Sequence, residues 1–236
     1  GLIDTIAGGG GMITLPALLA VGVPPHLALG TNKLQSSFGS LTATLRFRSA
    51  GLVSLRRIFP GIAATAVGAG LGAWTVGFVD ASILKLLIPL LLATIFLFLL
   101  FKPQFGGVAR PASWPVLAVW LAAGLGLGFY DGFFGPGTGT FWAMALVGLA
   151  GMDLRGATAH TKAVNFTSNI ISLAVFVASG SLVLSIGFLM AAGQIAGAWM
   201  GSHLVVTKGV GLVRRLVLVM TALMIAYLLV RFFLKV

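Results

Sequence analysis

The sequence predicts an all-helical integral membrane protein built from two copies of one helical repeat. Composition is the first reason: of the 236 residues, 58% are hydrophobic and only 8% are charged, whereas a soluble domain carries about 25% charged residues. The second is that apolar stretches near the ~20 residues that span a bilayer recur along the chain. The third is that a glycine-rich motif and a lysine recur in the same order in each half.

Nine apolar segments follow one another along the chain. Their approximate limits are 11–21, 27–47, 58–79, 82–101, 114–130, 138–150, 157–180, 184–206 and 213–234. In three segments glycines recur at every fourth position, namely Gly68 and Gly72, Gly124 and Gly128, and Gly193, Gly197 and Gly201. This spacing lets helix backbones approach closely, so we expect these glycines to serve packing.

The internal repeat is the most informative feature. Residues 4–11 read DTIAGGGG and residues 131–139 read DGFFGPGTG, and each motif leads through an apolar run and a polar turn to a lysine, Lys33 or Lys162. We therefore divide the chain into a first repeat at 1–105 and a second at 106–236. The second repeat has an apolar helix ahead of its motif, so we expect an equivalent helix upstream of Gly1.

The loop charges predict that the two repeats are inverted. The loop at 46–57 has four arginines and its counterpart at 180–184 has none, while 78–83 has no Lys or Arg and 206–215 has three. Loops rich in Lys and Arg stay on the cytoplasmic side of the membrane. Equivalent loops of the two repeats, one basic and one not, therefore belong on opposite sides of the membrane, as in many secondary transporters. Each glycine motif is then a broken or re-entrant segment, although Arg231 and Lys235 oppose this scheme.

The glycine motifs also predict an anion site. A helix break inside a membrane survives only where its backbone is buried in protein or lines a wet cavity. The N–H groups and positive dipole end of the half-helix that follows attract anions. The candidate residues are Gly9, Gly10, Gly11, Gly137 and Thr138, and the alternative is that both motifs are tight packing turns.

Lys33 and Lys162 each lie about two turns into an apolar helix, where a charge costs roughly 2.5–3.5 kcal/mol or more. Their partner is either an Asp, in a structural ion pair, or an anionic substrate, and a substrate could displace the Asp. Neutral donors flank the lysines, and they are Thr31, Asn32, Ser36, Thr161, Asn165 and Asn169. This donor set contains no acidic cage, which argues against a metal cation as substrate.

Proton coupling is expected to involve Asp4, Asp131 and His160. A carboxylate beside a lysine holds its proton weakly, and it would gain one when an anion takes that lysine. His160 could relay protons near neutral pH. The alternatives are that each Asp caps a half-helix and that His160 is a structural donor.

Enzyme chemistry is not expected. The chain has no cysteine, only four acidic residues, all Asp, and no Walker motif, zinc signature or nucleophile elbow. We expect no catalytic residue, cofactor or metal. Because the basic residues cluster in short loops, they indicate topology rather than nucleic-acid binding. The expected partners are the lipid bilayer, a small anion and, optionally, a second copy in a homodimer.

The segments DTIAGGGGMITLPALLAVGVPPHLALGTNKLQS and GFYDGFFGPGTGTF with ATAHTKAVNFTSN resemble the two halves of the sulfite exporter family of the TauE/SafE type, closest to its YfcA-like branch. The resemblance implies a multi-pass permease of the bacterial inner membrane with roughly eight spans. It also implies that the substrates are sulfite, related sulfur oxyanions or organosulfonates, moved by an ion gradient.

Three classes of function remain open at this level. The first is a secondary carrier, an exporter with alternating access around a midplane anion site. The second is an anion uptake symporter or a passive anion channel. The third is a membrane enzyme or assembly scaffold, for which the chain supplies no nucleophile, metal set or acid pair.

Overall fold

The computed structural model describes residues 1–101 and 109–207, and this part of the chain is helical, without strands. Its helices are α1 (Leu2–Ala7), α2 (Gly11–Ala20), α3 (Pro25–Ser49), α4 (Phe59–Val76), α5 (Ala81–Phe101), α6 (Val116–Phe133), α7 (Thr138–Gly148), α8 (Leu154–Ala178) and α9 (Leu184–Thr207). The predicted last apolar segment, 213–234, and the basic residues Lys208, Arg214, Arg215, Arg231 and Lys235 lie outside the described residues.

Four of the described helices are long and apolar enough to cross a membrane, and they are α4, α6, α8 and α9. Helix α3 has 25 residues, which at 1.5 Å per residue is about 37 Å, also long enough to cross. It falls short on composition because its middle is polar. Most of α3 is buried by its neighbours, so the polar side chains in its middle do not face the outside of the bundle.

The polar helices α3 and α8 pack side by side and run antiparallel. Near the start of α3, Thr31 Oγ1 accepts a hydrogen bond of 2.9 Å from the backbone N–H of Val183, just beyond the end of α8. Near the other end of α3, Phe47 shares an apolar cluster with Leu154, the first residue of α8. The lysine-bearing helices of the two halves therefore point in opposite directions.

Glycines set the contact between α4 and α6. A Cβ on Gly68 would lie 2.3 Å from the carbonyl oxygen of Leu125, and one on Gly72 would lie 2.1 Å from that of Phe129. Real Cβ atoms do not approach backbone so closely, so these positions require glycine. The predicted packing role holds here. Gly193 of α9 differs, because a Cβ there meets nothing within 4 Å.

Capping residues fix two of the helix starts. Asp153 precedes α8, and its Oδ1 accepts a 2.7 Å hydrogen bond from the N–H of Gly156. Asp80 precedes α5 in the same way, with Ser82 N donating to its Oδ1 at 2.7 Å. Both carboxylates satisfy N–H groups that a helix cannot pair internally, so these two acidic residues have structural roles.

A polar layer separates two apolar cores. One core contains Phe47, Trp142 and Leu146, and the other contains Leu15 and Leu29. On α3 the run from Thr31 to Ser40 lies between them, and nearly all of it is buried. Burying so many polar groups is costly unless they are paired or enclose something polar, so this layer is where a site is to be sought.

Candidate functional site

Both glycine motifs interrupt helices. Helix α1 ends at Ala7 and α2 begins at Gly11, with Gly8 at φ 70° between them. Helix α6 ends at Phe133 and α7 begins at Thr138, with Gly135 at φ 98° and Gly137 at φ 82° in the gap. Residues with a Cβ rarely adopt these left-handed conformations, so glycine determines where each helix breaks.

The two breaks are in direct contact. A Cβ on Gly8 would lie 2.5 Å from the backbone carbon of Gly139, and a Cβ on Gly139 would lie 2.6 Å from Gly8 Cα. At Gly135 a Cβ would lie 2.8 Å from Lys33 Nζ. The missing side chains therefore let one break touch the other and let a lysine reach the second break.

Lys33 forms an ion pair with Asp131 of the second half. Its Nζ donates to Asp131 Oδ1 at 2.6 Å and to the backbone oxygen of Asp131. The other carboxylate oxygen accepts a hydrogen bond from Ser168 Oγ. Both charged side chains are almost completely buried. The ammonium thus neutralises the carboxylate and also satisfies a carbonyl near the end of α6.

Lys162 repeats this arrangement with the roles of the halves exchanged. Its Nζ lies 3.2 Å from Asp4 Oδ2 and donates to the backbone oxygen of Asp4. The N–H of Gly10 donates to Asp4 Oδ1 at 3.3 Å. Each lysine therefore pairs with the Asp of the opposite half, and the two ion pairs cross between the halves at the glycine breaks.

A small cavity of about 20 Å³ lies between the breaks. It is lined by Asp4, Gly8, Gly11, Asn32, Ser36, Asp131, Gly135, Thr138, Gly139, Asn165 and Asn169. A single water needs about 10–15 Å³ of such space, so the cavity has room for one water and is too small for an oxyanion. In this conformation its charged wall is formed by the two carboxylates, and the lysines bind those carboxylates rather than line the cavity.

This wall differs from the set of neutral donors that the sequence suggested. Both Asp side chains belong to it as well, and the sequence assigned them to proton coupling rather than to the donor set. Each carboxylate is neutralised by a lysine, so the four side chains carry no net charge. An anion could bind a lysine only after the corresponding carboxylate moves away.

Two asparagine side chains in the cavity wall differ in their hydrogen bonding. Asn32 Oδ1 accepts hydrogen bonds from Thr14 Oγ1 at 2.6 Å and Gln35 Nε2 at 2.8 Å, which fixes its amide orientation. The oxygen Oδ1 of Asn165 is buried and has no hydrogen-bond partner among the described residues. The first residues of α2 and α7 also line the cavity, but the N–H of Thr138 already donates to the carbonyl oxygen of Gly135 at 3.2 Å, as that of Met12 does to Gly9 at 3.1 Å.

The structure places the predicted site residues in three groups. Asp4, Gly11, Asn32, Ser36, Asp131, Thr138 and Asn165 line the cavity. Gly10, Lys33 and Lys162 contact the two carboxylates. Gly9, Thr31, Gly137, His160 and Thr161 do not line the cavity.

Two residues of the third group have other partners. Thr31 accepts the hydrogen bond from Val183, the residue just before α9. His160 Nδ1 lies 2.8 Å from the carbonyl oxygen of Gly156, and its ring lies 6.2 Å from that of Trp120. Since the described contacts of His160 are with these groups, the structure does not bring it to the carboxylates.

Four residues that line the cavity were not predicted as anion-binding or proton-coupling residues. Gly8, Gly135 and Gly139 belong to the glycine motifs, but the sequence does not say which glycine of a run faces inward. Asn169 lies seven positions after Lys162, on the same helical face, and the sequence predicts it only as a donor near Lys162. The signal for it was the polar residue at the matching position of each repeat.

Comparison with known proteins gives the same class. A family model described as sulfite exporter TauE/SafE matches residues 1–228. A probable membrane transporter protein of Haemophilus influenzae is 45% identical over 224 residues, which is 95% of this chain and 88% of the relative. The probable membrane transporter protein YfcA of Escherichia coli K12 is 46% identical over 229 residues, 97% of this chain and 85% of the relative.

A third relative agrees with these two. The probable membrane transporter protein ORF9 of a Sinorhizobium species is 43% identical over 221 residues, 94% of this chain and 85% of the relative. No solved structure matches the chain. Because the family model covers nearly the whole sequence and these relatives align along most of their own length, the chain belongs to the sulfite exporter TauE/SafE family of membrane transporters.

Proposed function

We propose that the protein is a secondary carrier that exports small sulfur-containing anions, such as sulfite or organosulfonates, by alternating access around the cavity between the glycine breaks. The observation that carries the proposal is the crossed pairing of two buried lysines with two carboxylates at that cavity. Buried charges inside a membrane protein mark substrate or ion pathways, and a carrier needs a site that can open to either side.

The carboxylates act as internal substitutes for the substrate. In the closed site each lysine is neutralised by the Asp of the other half. An arriving oxyanion takes over the lysine, with Asn32, Ser36 and Asn165 as further donors. The displaced carboxylate loses its partner in a poorly solvated place and tends to take up a proton, which links proton movement to anion movement.

The two halves form an inverted repeat in this proposal. Support comes from the opposite directions of α3 and α8 and from matching contacts in the two halves. Gly72 of α4 approaches the carbonyl oxygen of Phe129, two residues before Asp131, and Gly201 of α9 approaches that of Leu2, two residues before Asp4. The arginine-rich ends of the helices then face the cytoplasm, in a multi-pass protein of the bacterial inner membrane.

A thermal-shift screen of the purified protein tests the proposal. The compounds are sulfite, thiosulfate, sulfoacetate, taurine and sulfate. A ligand that binds only the folded state raises the melting temperature as its concentration exceeds its Kd, so at least one of the sulfur anions should raise it in a saturable way. If none of the sulfur anions raises the melting temperature more than chloride does, the cavity is not a binding site for sulfur-containing anions.

A passive anion channel or an uptake symporter is the alternative. The direction of transport depends on the gradient and on the coupling ion rather than on the site itself. The small volume of the cavity between its ion pairs favours a carrier over a channel, because a channel needs a continuous open path.

A further inference from the structure

A cationic cluster lies near the arginine-rich end of α3, where it packs beside α9. The guanidinium carbon of Arg46 lies 5.3 Å from the ring centroid of Trp199. Its Nη2 lies 3.5 Å from Nδ1 of His203. The rings of Trp199 and His203 are stacked, with centroids 6.0 Å apart and planes at 8°. The guanidinium is therefore held in place by two aromatic rings.

Within the described residues, no acidic side chain pairs with the guanidinium of this cluster. In the described residues the ion pairs are those of the two buried lysines, so none involves Arg46. Arg46 Nε is buried and has no hydrogen-bond partner within the described part of the chain. Arg48, Arg56 and Arg57 follow closely in sequence with no acidic residue among them, so the local field favours an anion.

An apolar seam leads from the cluster towards the middle of the helices. Phe38 of α3 and Phe188 of α9 meet edge to face with centroids 6.1 Å apart. Phe38 lies eight residues before Arg46, which is about 12 Å along a helix. Between these points Leu45, Ile195 and Trp199 expose large apolar surfaces, as expected for side chains that face lipid.

We infer that the cluster of Arg46, Trp199 and His203 binds the phosphate of an anionic phospholipid, with an acyl chain along the seam between α3 and α9. Arginine binds phosphate through a fork of N–H donors, and basic groups at a membrane surface attract anionic headgroups. A Trp beside an Arg suits the interface between headgroups and acyl chains. This site is separate from the cavity and does not depend on the proposed transport function.

Native mass spectrometry of the full-length protein in detergent measures this binding. The probes are phosphatidylglycerol, phosphatidylcholine and sodium phosphate. We expect phosphatidylglycerol to bind in preference to phosphatidylcholine, and Arg46→Gln to weaken its binding about tenfold or more because a hydrogen-bonded charge pair is lost. Arg48→Gln is the matched control, since Arg48 is exposed two residues further on and the variant loses the same charge. It should keep wild-type affinity.

Three outcomes would overturn the inference. Equal weakening by Arg48→Gln would mean that the loop attracts lipid through diffuse charge only. Equal binding of phosphatidylcholine would remove the role of the anionic headgroup. Displacement of the lipid by sodium phosphate at equal concentration would identify a soluble phosphate site instead. If Arg46→Gln does not yield folded protein, Trp199→Leu decides, because it removes the ring that holds the guanidinium, and unchanged binding there contradicts the inference.

Discussion

Lys33 and Lys162 are buried charges whose surroundings explain how a membrane protein tolerates them. Each ammonium binds both a carboxylate and a backbone oxygen of one Asp, so the Coulomb attraction and the hydrogen bonds offset the cost of desolvation. From the sequence, the partner of each lysine could be either an Asp or an anionic substrate. The structure shows the Asp of the opposite half as this partner, and binding of an anion to the same lysines stays a proposal.

The first prediction separates the ion pair from anion binding. Lys33→Ala leaves Asp131 buried without its partner and should destabilise the protein by about 3–5 kcal/mol. The neutral double variant Lys33→Met with Asp131→Asn should recover most of that loss, because no charge remains to be desolvated, yet it should not bind the anion. Thermal unfolding with and without ligand measures both effects. Normal anion binding by the folded double variant would show that Lys33 is only structural.

The second prediction concerns the carboxylates. Asp4→Asn and Asp131→Asn keep a side chain that can accept hydrogen bonds but cannot be protonated to a neutral acid. In proteoliposomes a proton gradient should drive less anion accumulation in these variants, while exchange at equilibrium continues. Asp80→Asn, outside the cavity and at the start of α5, is the control and should behave as wild type. Unchanged accumulation in both cavity variants would leave the carboxylates with a structural role only.

At the scale of the elements, the paired helix breaks bring both half-helices to one point. The sequence predicted each break from its glycines, because glycine runs in a membrane segment have few other uses. It could not predict that Gly8 would lie against Gly139, since that contact joins residues far apart in the chain. Nor could it show that Thr31 accepts a hydrogen bond from Val183 or that His160 packs against Trp120 of α6, because spacing along one helix does not reveal the neighbouring helix.

The third prediction tests the contact between the breaks. Gly139→Ala places a methyl group 2.6 Å from Gly8 Cα, and backbone cannot yield as a flexible side chain would. We expect a loss of about 1–3 kcal/mol together with loss of anion binding. Gly148→Ala, at the other end of α7, meets nothing within 4 Å and should be neutral. Equal melting temperatures and ligand shifts for the two variants would mean that the breaks do not touch.

For the whole molecule, composition predicted a helical membrane protein, and this is confirmed for the described residues and by the family. Helix limits followed from apolar runs because lipid demands long continuous helices. Helix α3 was predicted as the segment 27–47 although its middle is polar, and most of these polar residues are buried by neighbouring helices. The boundary between the repeats at residues 105 and 106 stays a prediction. The inverted relation of the two halves also stays a prediction, and the antiparallel directions of α3 and α8 support it.

The fourth prediction tests inversion and orientation together. The chain has no cysteine, so single cysteines can be introduced without background. Ser49 is the last residue of α3, and Ser179 directly follows the last residue of α8. Both serines are exposed. In intact cells an impermeant maleimide should label Ser179→Cys, whereas Ser49→Cys should react only after permeabilisation. Labelling of both from the same side would contradict the antiparallel arrangement across the membrane.

Counterflow in proteoliposomes tests the central claim, that the crossed ion pairs enclose the site of an anion carrier. Vesicles are loaded with the unlabelled anion that gives the largest thermal shift, and uptake of the same labelled anion is followed from outside. We expect a transient accumulation of label that requires the unlabelled anion inside and is absent in the Lys33→Met, Asp131→Asn double variant. Uptake at one rate whether or not the vesicles are loaded, or full counterflow in the double variant, would contradict it.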